Sequence, residues 1–134
     1  VSHAFGKDTF GPPAFFPYGI YSVPEISTTG LTELEAQRKF IPYVVGKGKF
    51  VETSRGLIMG VERGLLKLLF SRQDHKLFGV HIIGEGASEL IHIGQAVLRF
   101  NGGIDYFIEN IFNFPTLAEA YKVAALNAWN QLHD

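Results

Sequence analysis

The 134-residue sequence predicts an α+β fold in which helices cover an antiparallel sheet, and three features carry that expectation. From Pro42 to Phe50 the side chains alternate, with Val44, Gly46, Gly48 and Phe50 on one face and Tyr43, Val45, Lys47 and Lys49 on the other. That is the period-2 signature of a strand with one polar side. Two apolar runs, Leu65 to Ser71 and Leu77 to Ile83, flank the turn Asp74-His75-Lys76 and read as an antiparallel hairpin. Helical patterns then complete the chain, and strands and helices in this order suggest the α+β class.

The individual elements follow from local chemistry. Pro12, Pro13 and Pro17, with several phenylalanines and little periodicity, predict a linker over residues 1–17 that packs on something. Gly19 to Val23 has the β-branched and aromatic content of a short strand, which Pro24 limits to an edge or a strand end. Thr32 and Glu35 have capping-box spacing and start a short helix through about Lys39. After the hairpin, Gly84-Glu85-Gly86 ends the second strand, and Ser88 or a neighbour is expected to cap a long helix. Its apolar residues Leu90, Ile91, Ile93, Val97, Leu98 and Phe100 predict burial around much of its circumference. Gly102-Gly103 is the expected stop, and a short helix lies near 105–110. In Asn113-Phe114-Pro115-Thr116-Leu117-Ala118-Glu119, Pro115 biases Phe114 towards an extended conformation, and Thr116 with Glu119 again has capping-box spacing. An extended segment is therefore expected to turn sharply into a last helix running from Leu117 to about Gln131, with Leu117, Tyr121, Ala124, Ala128 and Leu132 along one stripe.

Composition bounds the function. A chain of this length, 46% hydrophobic, supports one domain with a substantial core. Twelve basic and thirteen acidic residues leave a net charge of −1 with no basic run, so nucleic acid is not an expected partner. The absence of cysteine rules out a disulfide, a thiolate metal site and a redox dithiol within these residues, and agrees with a cytoplasmic protein. The N-terminal residues lack a signal-peptide pattern and no apolar run is long enough to span a membrane. The missing initiating methionine suggests a piece of something longer.

No complete catalytic constellation emerges. Glu89 and His92 have the i, i+3 spacing of helical metal sites, with His81 and Glu85 nearby, but a second such pair is lacking, so no metal is expected. Gly84-Glu85-Gly86-Ala87-Ser88-Glu89 opens a helix like a phosphate loop, yet it lacks the third glycine and carries two acids beside the would-be pyrophosphate. His3, His75 and His133 lie near the ends or in a turn, and no Gly-x-Ser-x-Gly elbow is present. Helix capping alone accounts for Glu119, and Phe112, Phe114 and Tyr121 fit core or interface roles.

Several motifs go further. Asn113 to Glu119 resembles the His-Pro-Thr-x-x-Glu signature near the C-terminus of the flavoprotein pyridine nucleotide-disulfide oxidoreductases, with Phe114 in the histidine's place. Pro24-Glu25-Ile26-Ser27, followed by Gly30-Leu31-Thr32-Glu33, resembles the segment that opens the family's dimerisation domain. Leu77 to Gly84 and Ala87 to Ile91 are similar to its hairpin and long helix, and His3-Ala4-Phe5-Gly6 looks like the tail of the preceding FAD-domain helix. The resemblance implies that residues 1–17 are that tail and a linker, and that residues 18–134 are the dimerisation domain. Within the family, Ile91 to Ala96 and Phe112 to Asn127 look most like the transhydrogenase members.

In the disulfide reductases a histidine at the position of Phe114 is the acid/base for the thiolate, and a glutamate at the position of Glu119 orients it. A phenyl ring transfers no proton. The resemblance therefore implies no catalytic residue here, Glu119 being the remnant of a dyad or a helix cap, and points to hydride exchange between NADPH and NAD through FAD. It also implies a homodimer, with Phe112, Asn113, Phe114, Pro115, Thr116, Glu119 and Tyr121 at the interface. Phe114 and Pro115 would then lie near the FAD of the other subunit, while the FAD and NAD(P) domains belong to the same polypeptide. Alone, these residues are expected to be inactive and to bind neither FAD nor NADPH. A dihydrolipoamide dehydrogenase-like reductase and a non-catalytic interaction module are the alternatives.

Overall fold

Leu66, Leu68 and Phe70 on one strand and Val80 and Ile82 on the next are buried, and they form the floor of the core. They belong to a five-stranded antiparallel sheet in a computed structural model that describes residues 1–9, 11 and 13–133. The strands are β1 (Tyr18–Ile20), β2 (Ile26–Gly30), β3 (Tyr43–Lys49), β4 (Leu65–Ser71) and β5 (Leu77–Ile83), in the spatial order β1-β2-β5-β4-β3. The helices are α1 (Glu33–Arg38), α2 (Ser54–Met59), α3 (Ala87–Arg99), α4 (Ile104–Glu109) and α5 (Glu119–His133). The α+β class and the antiparallel sheet covered by helices are as expected from the sequence. Pro12 of the expected linker lies outside the described residues.

Helix α5 packs on β3 and β4, and α3 on β5 and β2, all on one face of the sheet. The approach of α5 is set by small residues. Ala120, Ala124 and Ala128 are fully buried, and a Cβ added at Gly46 or Gly48 would lie 2.0 Å from the Ala124 carbonyl oxygen or 2.4 Å from that of Ala120. Only glycine lets backbone meet backbone there. The outer edge of β3 is closed by the same helix: the Lys47 amide donates to Asn127 Oδ1 at 3.0 Å, and Gln131 Nε2 donates to the Val45 carbonyl at 2.9 Å. Edge groups that would otherwise offer a pairing template are thereby occupied.

The opposite face carries a polar row. Register places Lys47 against Lys67, Lys67 against His81, and His81 against Thr28, across four strands. Glu33 of α1 pairs with Lys67 at 2.7 Å, and this bond holds the Glu33 carboxyl below its ordinary range. His81 Nε2 donates to the Leu31 carbonyl at 3.1 Å, leaving Nδ1 to accept from the Thr28 hydroxyl. Burial pushes the His81 imidazole pKa down.

Several local expectations are corrected. The capping box at Thr32 and Glu35 forms, but the one at Thr116 and Glu119 does not. The Thr116 hydroxyl donates to the Asn113 carbonyl at 2.6 Å instead, α5 begins at Glu119, and residues 111–116 contain no strand. Helix α3 is not capped by Ser88 or a sequence neighbour. Glu25 Oε2, from before β2, accepts both the Ser88 amide (3.1 Å) and its hydroxyl (2.7 Å), which lowers the Glu25 pKa. The helix ends at Arg99, and the left-handed residue is Asn101 rather than Gly102 or Gly103. Its burial is one-sided: Ile91, Gly94, Val97 and Leu98 face the sheet, and Phe100 is exposed. β1 ends at Ile20, short of Val23.

Candidate functional site

The segment between α4 and α5 is built outward from an aromatic stack. Phe107 lies nearly parallel to Tyr121 with ring centroids 5.2 Å apart, and Phe112 lies on the other side of the sequence turn, 6.5 Å from Tyr121 and tilted by 18°. Tyr106 meets both phenylalanines edge-on. Stacked and edge-to-face rings of this kind hold their geometry better than aliphatic packing does. Phe112 is thus the last anchored residue before the chain leaves the core. The bond from Thr116 to Asn113 then closes a tight turn around a cis Phe114-Pro115 peptide.

What the turn presents is apolar. Phe114 is 72% exposed, and Ile111 just before it is 95% exposed. Asn113 and Pro115 are also exposed, while Phe112, Thr116 and Glu119 are half-buried. A cleft of ≈ 300 Å³ opens beside the turn, lined by Ile111, Phe112, Phe114, Glu119, Lys122, Val123 and Leu126. Inside it, Glu119 Oε2 is buried with no hydrogen-bond partner among the described residues. Phe112, Phe114 and Glu119, three of the residues singled out in the sequence, therefore line one cleft. Tyr121 is not part of that surface. It is fully buried in its own chain, its hydroxyl accepts from Gly94 and donates to Leu90, and burial pushes the phenol pKa up. A residue with no exposed surface buries none against a partner, so Tyr121 acts from behind the turn rather than at an interface.

Sequence reasoning missed Ile111, Lys122, Val123 and Leu126. The signal was present for the last three, because Glu119, Lys122, Val123 and Leu126 fall at i, i+3, i+4 and i+7 and share one face of α5.

The other candidates do not converge. Glu89 and His92 are exposed on α3, where His92 Nδ1 meets Gln95 Oε1 at 3.0 Å, and the described residues hold no group of three or more metal-ligating side chains. His75 packs edge-on to Trp129, 5.9 Å between ring centroids. At the glycine-bearing start of α3, the Glu25 carboxylate occupies the place a phosphate would take, so that helix end does not suit a nucleotide. A planar apolar group such as a flavin ring would find accessible apolar surface at the exposed turn, at Phe114 and Pro115. No helix among the described residues is long and apolar enough to cross a membrane.

The chain thus combines a helix-covered five-stranded antiparallel sheet with an exposed apolar turn beside the Glu119 cleft. The chain belongs to the pyridine nucleotide-disulphide oxidoreductase dimerisation-domain family, whose model matches residues 16–125. It is 49% identical over 130 residues to the soluble pyridine nucleotide transhydrogenase of Mycobacterium tuberculosis (strain ATCC 25177 / H37Ra), covering 97% of this chain and 28% of that protein. The enzyme of the same name from Escherichia coli O1:K1 / APEC is 48% identical over 119 residues, 87% of this chain and 26% of its own length. The chain thus spans little more than a quarter of these relatives. Among solved structures, LpdA from Mycobacterium tuberculosis superposes with a TM-score of 0.82 at 17% identity, covering 93% of this chain and 28% of that one. The HOCl-induced flavoprotein disulfide reductase RclA from Escherichia coli gives 0.78 at 21%, covering 84% and 26%. Both likenesses concern the fold.

Proposed function

We propose that this chain is the dimerisation domain of a homodimeric, FAD-dependent enzyme that moves hydride between NADPH and NAD. The observation that carries it is the exposed Phe114 at the rim of the Glu119 cleft, in a chain 49% identical to a soluble pyridine nucleotide transhydrogenase. The resemblance puts the acid/base histidine of the disulfide reductases at that position. A thiolate leaving group needs a proton donor there, and a phenyl ring has none. Hydride exchange does not need one.

When bound, FAD would supply the two-electron relay between the nucleotides. This chain's own part is structural and protective: the stack of Phe107, Tyr121 and Phe112 fixes the turn, and Phe114 and Pro115 would lie against the flavin of the other subunit. The apolar Phe114 and Ile111 side chains would keep water from that contact. FAD and NAD(P) domains of the same polypeptide would supply the nucleotide-binding loops. A cytoplasmic location fits the "soluble" in the relatives' names.

The test is to assay the full-length protein for hydride transfer from NADPH to an NAD analogue, beside NADH-dependent reduction of lipoamide and glutathione disulfide. Transfer without disulfide reduction is expected. Disulfide reduction at a comparable rate would mean that another residue supplies the proton and would overturn the assignment.

A further inference from the structure

The cleft beside the turn holds an acceptor with nothing to accept. Glu119 Oε2 is buried without a hydrogen-bond partner, and carboxylate oxygens withdrawn from water in a finished site are almost always paired. Two donors lie within three residues of it in sequence, the Thr116 hydroxyl and the Lys122 ammonium. The Thr116 hydroxyl, which a capping box would have aimed at this end of the helix, donates to the Asn113 carbonyl at 2.6 Å. No ion pair between Glu119 and Lys122 forms among the described residues, although both line the cleft. Apart from Lys122 the rim around this acceptor is apolar, with Ile111 95%, Phe114 72% and Leu126 42% exposed. An unpaired acceptor enclosed by exposed apolar side chains is half of a protein interface, whose other half brings a donor and an apolar surface together.

We infer that each copy's Glu119 is completed by an N–H or O–H donor from a second copy of the parent polypeptide, entering the cleft across the dimer interface. This rests on the homodimer reading above and names what that interface supplies. The cleft is an open notch of ≈ 300 Å³, at the small end of what a ligand needs, and its rim residues Ile111 and Phe114 are exposed. Such a shape suits a protruding group of a large partner. Two-fold symmetry makes the contact twice per dimer, so an effect at one residue is doubled in the dimer's dissociation.

The experiment is a dilution series by sedimentation velocity on the full-length protein, wild type against Glu119→Gln and Glu119→Asp. The amide removes the charge at constant shape, and the aspartate keeps the charge but withdraws it by one methylene. Both variants are expected to raise the dimer dissociation constant about tenfold or more, whereas Glu109→Gln at the exposed end of α4 leaves it within about twofold. A dimeric wild type with both Glu119 variants inside that twofold margin overturns the inference while leaving the homodimer intact. A wild type that is monomeric at high micromolar concentration overturns the homodimer reading and the inference together. Should Glu119→Gln not fold, judged by circular dichroism, the Asp variant decides alone.

Discussion

The Tyr121 hydroxyl sits inside a helical hydrogen bond of α3: it accepts the Gly94 amide at 3.1 Å and donates to the carbonyl of Leu90, four residues earlier, at 2.7 Å. One side chain therefore ties α5 to α3 and also carries the stack that supports the exposed turn. Phenylalanine at 121 keeps the stack and loses the bridge. Tyr121→Phe is expected to lower stability by about 1–3 kcal/mol, because the Gly94 amide is left buried against a ring edge. Urea unfolding should show a lower midpoint at unchanged slope. A midpoint equal to wild type would mean that the helix recloses its own bond without cost.

The contact between α5 and β3 makes a second test. A methyl group on Gly46 would meet the Ala124 carbonyl oxygen at 2.0 Å, so Gly46→Ala must push the helix away. Overpacking of this kind is expected to cost about 1–3 kcal/mol or more. Thermal unfolding of the variant checks it, and Gly60→Ala, where no atom lies within 4 Å of the added methyl but φ is +67°, separates steric contact from backbone strain.

His81 governs the pH dependence near neutrality. Its folded pKa lies below the unfolded value because burial disfavours the imidazolium, with Lys67 adding repulsion. The unfolded chain therefore binds the proton first, and stability falls as pH drops below about 6.5 towards the folded pKa. Lower still, below about 4.5, Glu25 and Glu33 lose the stability that their depressed pKa values represent, since protonation breaks the bonds to Ser88 and Lys67. Melting temperatures from pH 8 to about 2 should show two descending steps, and His81→Gln should remove the upper one. An upper step that survives the substitution would assign it to another group.

Glu25 and Ser88 should be coupled. Either Glu25→Gln or Ser88→Ala removes the cap on α3, so the double variant should melt close to the worse single variant rather than at the sum of both losses. Additive losses would show that the two residues act separately.

How much of this was legible in the sequence depended on where each determinant lay. β3 was readable because its burial alternates with the side chains, Val44, Gly46, Gly48 and Phe50 inward and Lys47 and Lys49 outward, and the β4–β5 hairpin because two apolar runs flank the turn Asp74-His75-Lys76. β2 was hidden because it buries Ser27 and Thr29, residues that read as turn chemistry. α2 was hidden because its apolar residues Leu57 and Ile58 face outward, leaving no amphipathic pattern. The cap on α3 comes from a residue 63 positions away, beyond any local rule. Thr116 and Glu119 show the converse failure: the spacing is right, but α5 begins at Glu119 itself, so Thr116 lies too far ahead of the helix to cap it and its hydroxyl donates to the Asn113 carbonyl. The cleft itself was not legible: Phe112, Phe114 and Glu119 were singled out in the sequence without it, and Ile111 was not, since an exposed isoleucine has no signature before the fold is known.

The account holds that the turn around Phe114 is covered by a second copy. The most direct test is sedimentation velocity of the full-length protein carrying Phe114→Asp, because Phe114 is 72% exposed in the single chain and tolerates a charge there at little cost to folding. In a dimer that buries this position the charge enters apolar surroundings twice, and the dissociation constant is expected to rise about a hundredfold or more. A Phe114→Asp protein that remains dimeric with wild-type affinity would place the turn in solvent and contradict the account.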